Sequence, residues 1–263
     1  TSNSDKHLLV ITDNQFASLI PNNIPCIITH HGIARTHSER DPLWEKHIRD
    51  ICVNGQDVMF KVRKPYNTSI ASISDFCTTE FLKHYLETYS EYKRYDIPTP
   101  ITPQSDLTLQ NAMTYLKFKE SNTKPQILGD WRTYAKGSHI VNYLKLKSQI
   151  SNYFDFVQLR TKPTNNIEEH EKQIHKFYNK ANYYLSLSVH EGNSFALLDA
   201  FSHYQFVIAT DVGFIWDLKQ RASKEPEFAE LIDGIVWFLD WDKANKIMRN
   251  QTEADFNNVV KYL

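Results

Sequence analysis

The chain has 263 residues, enough for one large domain or two modest domains with their own cores. A formal charge of −1 gives no overall electrostatic basis for nucleic-acid binding, and no apolar run nears the ~20 residues of a membrane span. With 41% hydrophobic and 13% aromatic residues the composition is that of a soluble globular protein, and no secretory signal pattern opens the sequence.

Cys26, Cys52 and Cys77 are odd in number and form no C-x-x-C pair. That points to a reducing, cytoplasmic compartment and away from disulfides or a zinc site. His170 and His175 stand five apart on a predicted helix, a poor spacing for joint ligation, so no metal site is expected.

Taken in chain order, the first hundred residues alternate short β-branched runs with helical patterns. Strands are predicted at 8–12, 26–29, 58–62 and 70–73, and helices at 43–52 and 78–92. In the second helix Phe81, Leu82, Tyr85, Leu86 and Tyr89 recur at 3–4 spacing, a stripe expected to face the core. Three prolines within residues 97–103 then mark a semi-rigid linker. The predicted domains are therefore 1–96 and 106–263, joined by 97–105.

Beyond the linker, strands at 126–128, 154–159, 183–188 and 206–209 precede helices at 138–148, 167–179, 193–203 and 214–221. Such alternation implies a parallel sheet covered on both faces. Residues 240–263 read as two short helices.

Three segments carry the residues of chemical interest. In the first, Glu191 precedes the helix opened by Gly192, Asn193 and Ser194, and Asp199 lies two turns on. Ligands of open α/β sheets bind beyond the carboxyl ends of the strands, where a helix N-terminus suits phosphates and hydroxyls. The second runs from Gly129 to Gly137 and contains Arg132 and Lys136. The third is the strand-end loop Thr29-His-His-Gly-Ile-Ala-Arg35, in which His30 and His31 point to opposite sides, so one of them faces a ligand. Arg35 is a candidate for a phosphate or an acidic acceptor. Ser74 is either a helix N-cap or a ligand-facing turn. Arg160 and Lys162 close a strand of the second predicted domain.

Residues 180–213 resemble the donor-binding region of GT-B glycosyltransferases of the retaining, family 4 type. Their signature is Glu-x7-Glu, and Asp199 stands here as the second acid. Gly129–Gly137 is similar to the same family's Gly-Arg…Lys-Gly segment. The resemblance spans roughly residues 125–217. It implies an α/β fold of two Rossmann-like, doubly wound domains facing a cleft. The first domain is expected to be short or truncated, since no Gly-rich loop precedes Leu8 and the domain has only about 96 residues.

The activity implied is transfer of a sugar from a nucleotide-diphosphate donor to a hydroxyl acceptor with retention. It needs no metal and no cofactor beyond the nucleotide sugar as co-substrate. Glu191, His30 and His31 would act at the reacting sugar. Lys136 and Arg132 would hold the diphosphate and Asp199 the ribose, with Gly192, Asn193 and Ser194 completing the donor site. Arg35 and Ser74 would lie on the acceptor side. The acceptor would be a glycan, lipid-linked or protein hydroxyl, with peripheral membrane contact and oligomeric state left open. The alternative is a non-catalytic nucleotide- or glycan-binding protein on a degenerate GT-B scaffold.

Overall fold

The computed structural model describes residues 8–13, 16–89, 91–97 and 124–243. They fall into two compact units. One comprises the described residues of Thr1–Thr99 with His190–Asn193 and Val212–Asp217; the other comprises those of Pro100–Val189, Ser194–Asp211 and Leu218–Leu263.

The first unit is built on four parallel strands, β1 (Val10–Asp13), β2 (Cys26–His30), β3 (Thr68–Ser72) and β4 (Lys93–Asp96), in that spatial order. Along β2, Cys26, Ile28 and His30 are buried while Ile27 and Thr29 are partly covered, the period-2 pattern of a sheet with one dominant core face. Ile28 and Ile70 on this face pack with Met59, Phe60 and Phe81. Each such side chain contributes about 1.5–3 kcal/mol by leaving water. Phe81, with Leu82 and Tyr85 beside it, faces this core as the stripe predicts. The side chains of Leu86 and Tyr89 lie outside the described residues, as do 98–105 of the expected linker and 244–263 of the expected terminal helices.

Residues 58–62 are helical, not extended. They end helix α2 (Lys46–Val62), which follows the short helix α1 (Ala34–Arg40). Gln56, Met59, Phe60 and Arg63 recur at 0, 3, 4 and 7 and are all buried, whereas Val58 is 45% exposed. This helical period outweighs the local β-branched preference. Gln56 fastens the helix to the β2 loop: its Oε1 accepts from the Ala34 amide at 2.8 Å and its Nε2 donates to Gly32 O at 2.9 Å. Arg63 is fully buried yet satisfied, donating to Thr68 Oγ1 and to the carbonyls of Ile20, Pro21 and Ile24. Helix α3 (Asp75–Tyr89) ends before the expected boundary, and β4 follows it as a strand that periodicity did not indicate.

The second unit is a five-stranded parallel sheet of β5 (Gln126–Gly129), β6 (Asp155–Gln158), β7 (Tyr183–Ser186), β8 (Phe206–Thr210) and β9 (Val236–Leu239), ordered β6-β5-β7-β8-β9. Both neighbours in the runs Ile127–Leu128, Tyr184–Leu185 and Val207–Ile208 are buried, as a sheet covered on both faces requires. The covering helices include Ser138–Leu146, Ile167–Tyr178, Phe195–Ser202 and Phe214–Lys224. Helix Pro226–Ile232 and strand β9 were not expected from the sequence. After β5 the chain steps to β6 on one side, then crosses to β7 on the other. The strand order thus reverses between β5 and β7, which is where ligands of open α/β sheets bind.

Candidate functional site

At that reversal, two loops leave the carboxyl ends of β5 and β7 and are tied together. Trp131 Nε1 donates to Leu185 O at 2.8 Å, and the Val189 amide donates to Ala135 O at 2.9 Å. Gly137 has φ +79°, and a Cβ there would overlap Leu187, so only glycine fits the crossing. Lys136 ends the single 3-10 turn Tyr134–Lys136 just before it and is partly buried.

Beside these loops lies a pocket of about 830 Å³, bordered by Asp130, Arg132, Arg160, His170, Tyr178 and Asp199. Its volume is in the range of small-ligand sites. Arg132 forms a fork with Asp130, Nε to Oδ1 at 2.7 Å and the second nitrogen to Oδ2 at 2.9 Å, while its side chain stays 69% exposed. Asp199 sits on helix Phe195–Ser202, half-buried, and burial pushes its carboxyl pKa up. Among the described residues no donor is hydrogen-bonded to that carboxylate, although its own carbonyl is well bonded.

The pocket therefore brings Arg132 and Asp199 together, with Arg160 alongside; Lys136 is not among its walls. The helix starts at Phe195 rather than Asn193, with Ser194 at the N-cap position and no side-chain cap bond. Glu191, Gly192 and Asn193 group with the first unit. Gly192 packs so tightly that a Cβ would overlap the His31 carbonyl, and Asn193 Oδ1 is buried without a hydrogen-bond partner among the described residues.

In the first unit, His30 is buried at the end of β2, edge-on to Phe81 at 5.0 Å, and burial lowers its pKa to about 4. Its imidazole is neutral at physiological pH. His31 is 49% exposed, with Nε2 3.4 Å from Asp13. Arg35 is ion-paired with Asp57 and donates to the Tyr85 hydroxyl at 3.3 Å. Ser74 caps α3 by accepting from the Cys77 amide at 3.2 Å, and its hydroxyl donates to Gly192 O at 3.0 Å. Asp217 accepts from the amides of Asp75 and Phe76 at 3.1 and 2.8 Å at the same helix end. Burial pushes its pKa up to about 6.

Sequence reasoning passed over a second hollow of about 220 Å³, where His31, His37, Trp44 and His190 meet. It also missed the contact between His175 and His203. Of the residues around that hollow, His31 stood in the loop already expected to face a ligand, and His190 stands next to Glu191. Among the described residues, no three His, Cys, Asp or Glu side chains are grouped to hold a metal, and no helix is long and apolar enough to cross a membrane. The three cysteines are free.

The two parallel sheets with their covering helices are the α/β fold of GT-B glycosyltransferases. Similar solved structures include sucrose-phosphate synthase from Thermosynechococcus elongatus, 13% identical with a TM-score of 0.55 over 92% of this chain and 62% of that one. WaaG, a glycosyltransferase involved in lipopolysaccharide biosynthesis, is 13% identical with a TM-score of 0.52 over 90% of this chain and 70% of that one. An α,α-trehalose-phosphate synthase (UDP-forming) from Burkholderia vietnamiensis is 8% identical with a TM-score of 0.50 over 91% of this chain and 61% of that one. The chain thus spans about three fifths of the sucrose- and trehalose-phosphate synthases. No protein-family model and no curated protein sequence matches it.

Proposed function

We propose that the chain takes part in transferring a sugar from a nucleotide-diphosphate donor to a hydroxyl acceptor, with retention at the anomeric carbon. One observation carries the reading. A half-buried carboxylate without a hydrogen-bond donor among the described residues, Asp199, shares a pocket with two guanidinium groups beside the point where strand order reverses. Asp199 would accept from ribose hydroxyls. Arg132 and Lys136 would hold the diphosphate, whose charge grows as the sugar–oxygen bond breaks. Glu191 would take the donor sugar's hydroxyls. His31, the more exposed of the two histidines, is better suited than His30 to a reacting hydroxyl.

In this reading the departing phosphate takes the acceptor proton, so no protein base, metal or cofactor is assigned. Lys136→Ala and Glu191→Ala should each lower transfer from UDP-sugars by more than about tenfold, the cost of one charge-assisted hydrogen bond. Unchanged turnover in both variants, with folding intact, removes the assignment.

A second reading, nucleotide binding without catalysis, is favoured by the Asp130–Arg132 fork. It already satisfies one of the cations the diphosphate would need. UDP binding without donor hydrolysis or transfer would select it.

A further inference from the structure

Helix Ile167–Tyr178 carries His175 in its last turn, and His203 is the C-cap of helix Phe195–Ser202. The two rings meet, with His175 Nδ1 2.7 Å from His203 Nε2. On its other side His203 Nδ1 lies 2.7 Å from the carbonyl oxygen of Asp199. A carbonyl only accepts, so His203 Nδ1 carries the hydrogen. Nε2 of neutral His203 is then the acceptor, and His175 Nδ1 is the donor. Both tautomers are thereby set, and a further proton goes to His175 Nε2 without breaking either bond. Adding two protons would place hydrogens on both facing nitrogens across 2.7 Å, so the pair holds one at most.

Helix C-termini favour a cation at both rings. Asp199 attracts charge on either ring, whereas burial works against charge on His203 and pushes its pKa down. Among the described residues, Tyr178 is stacked on His203 at 5.0 Å, with Tyr184 stacked behind it and Asp130 acting on it from the pocket, and His170, Arg132 and Arg160 line that pocket with Asp199. Tyr178 donates its hydroxyl to Ala196 O at 2.8 Å and burial raises its pKa, so it stays neutral.

We propose that His175 and His203 are positioning residues for Asp199: one proton held by the pair keeps that carboxylate ionised to accept the adjacent hydroxyls of a ribose-bearing ligand, which makes binding proton-linked. This rests on the pocket being a nucleotide site. As pH falls the pair gains its cation, and the cation opposes protonation of Asp199. Without it, Asp199 is protonated at higher pH and binding is lost earlier on the acid side.

His175→Asn keeps an N–H donor toward His203 but cannot take up the proton, and His175→Gln is a second variant should Asn not fold. Carbon-detected NMR of the full chain follows the Asp199 carboxyl, assigned by its loss in Asp199→Asn. The carboxyl is expected to titrate at higher pH in His175→Asn than in the wild type. Calorimetric titration with UDP is expected to give equal affinity near pH 8 and an earlier loss of binding by the variant as pH falls. A pair that is only structural predicts an Asn variant matching the wild type, and identical carboxyl titrations overturn the proposal. If wild-type protein does not bind UDP, the nucleotide reading falls, while the carboxyl titration still decides the role of the pair.

Discussion

Asp199 combines burial with the lack, among the described residues, of a donor on its carboxylate, and an amide in its place could accept through only one oxygen. Asp199→Asn should therefore weaken UDP binding by about tenfold or more, measured by calorimetry. Gly192 is a different kind of position. Its missing Cβ lets the His31 carbonyl approach, so Gly192→Ala forces backbone apart and should lower stability by about 1–3 kcal/mol in denaturant unfolding. Asp217 sets a pH dependence whose sign is opposite to that of most carboxylates. Its folded pKa, pushed up to about 6 by burial, lies above the ordinary 3.8. The folded state therefore holds the proton longer, and the associated stability is full below the unfolded value and lost as pH rises through about 6. Stability measured from pH 4 to 7 should fall less steeply in Asp217→Asn than in the wild type.

Individual elements were legible where periodicity was unambiguous. The strands β2, β5, β7 and β8 announced themselves as short β-branched or aromatic runs, and the helix around Phe81 as a 3–4 stripe. Residues 58–62 misled because Val58, Phe60 and Val62 also suit a strand. The decisive partners, Gln56 and Arg63, are polar residues that a hydrophobic pattern ignores. The helical assignment makes a sharp prediction. Met59→Ala should cost about 2–5 kcal/mol, and Val58→Ala, on the exposed side, less than about 0.5 kcal/mol, by denaturant unfolding. β4 escaped notice because all four of its residues are exposed, leaving no alternation to read.

At the scale of the molecule, the parallel sheet in each unit follows from strands alternating with helices, but strand order does not. The order β6-β5-β7-β8-β9 puts the β5 and β7 loops side by side and opens the pocket on the β6 flank. A nucleotide occupying that pocket stabilises the folded state by mass action. UDP at about a hundred times its Kd should add about 2.7 kcal/mol and raise the melting temperature in a concentration-dependent way, and at the same UDP concentration this gain should fall to about 1.4 kcal/mol or less in Asp199→Asn.

Local spacing alone determined that this chain alternates strands with helices, and that Glu191, Asp199, Arg132 and Lys136 follow strand ends. Those properties depend on neighbours in sequence. Only the folded arrangement decided that Arg132 is held by Asp130, that His30 is sealed behind Phe81, and that His175 reaches across 28 positions to His203 beneath Asp199. Pairings between distant residues depend on which strands lie side by side and which helix ends meet. Side-chain burial and proton sharing respond to that packing, and no pattern of neighbours along the chain encodes it.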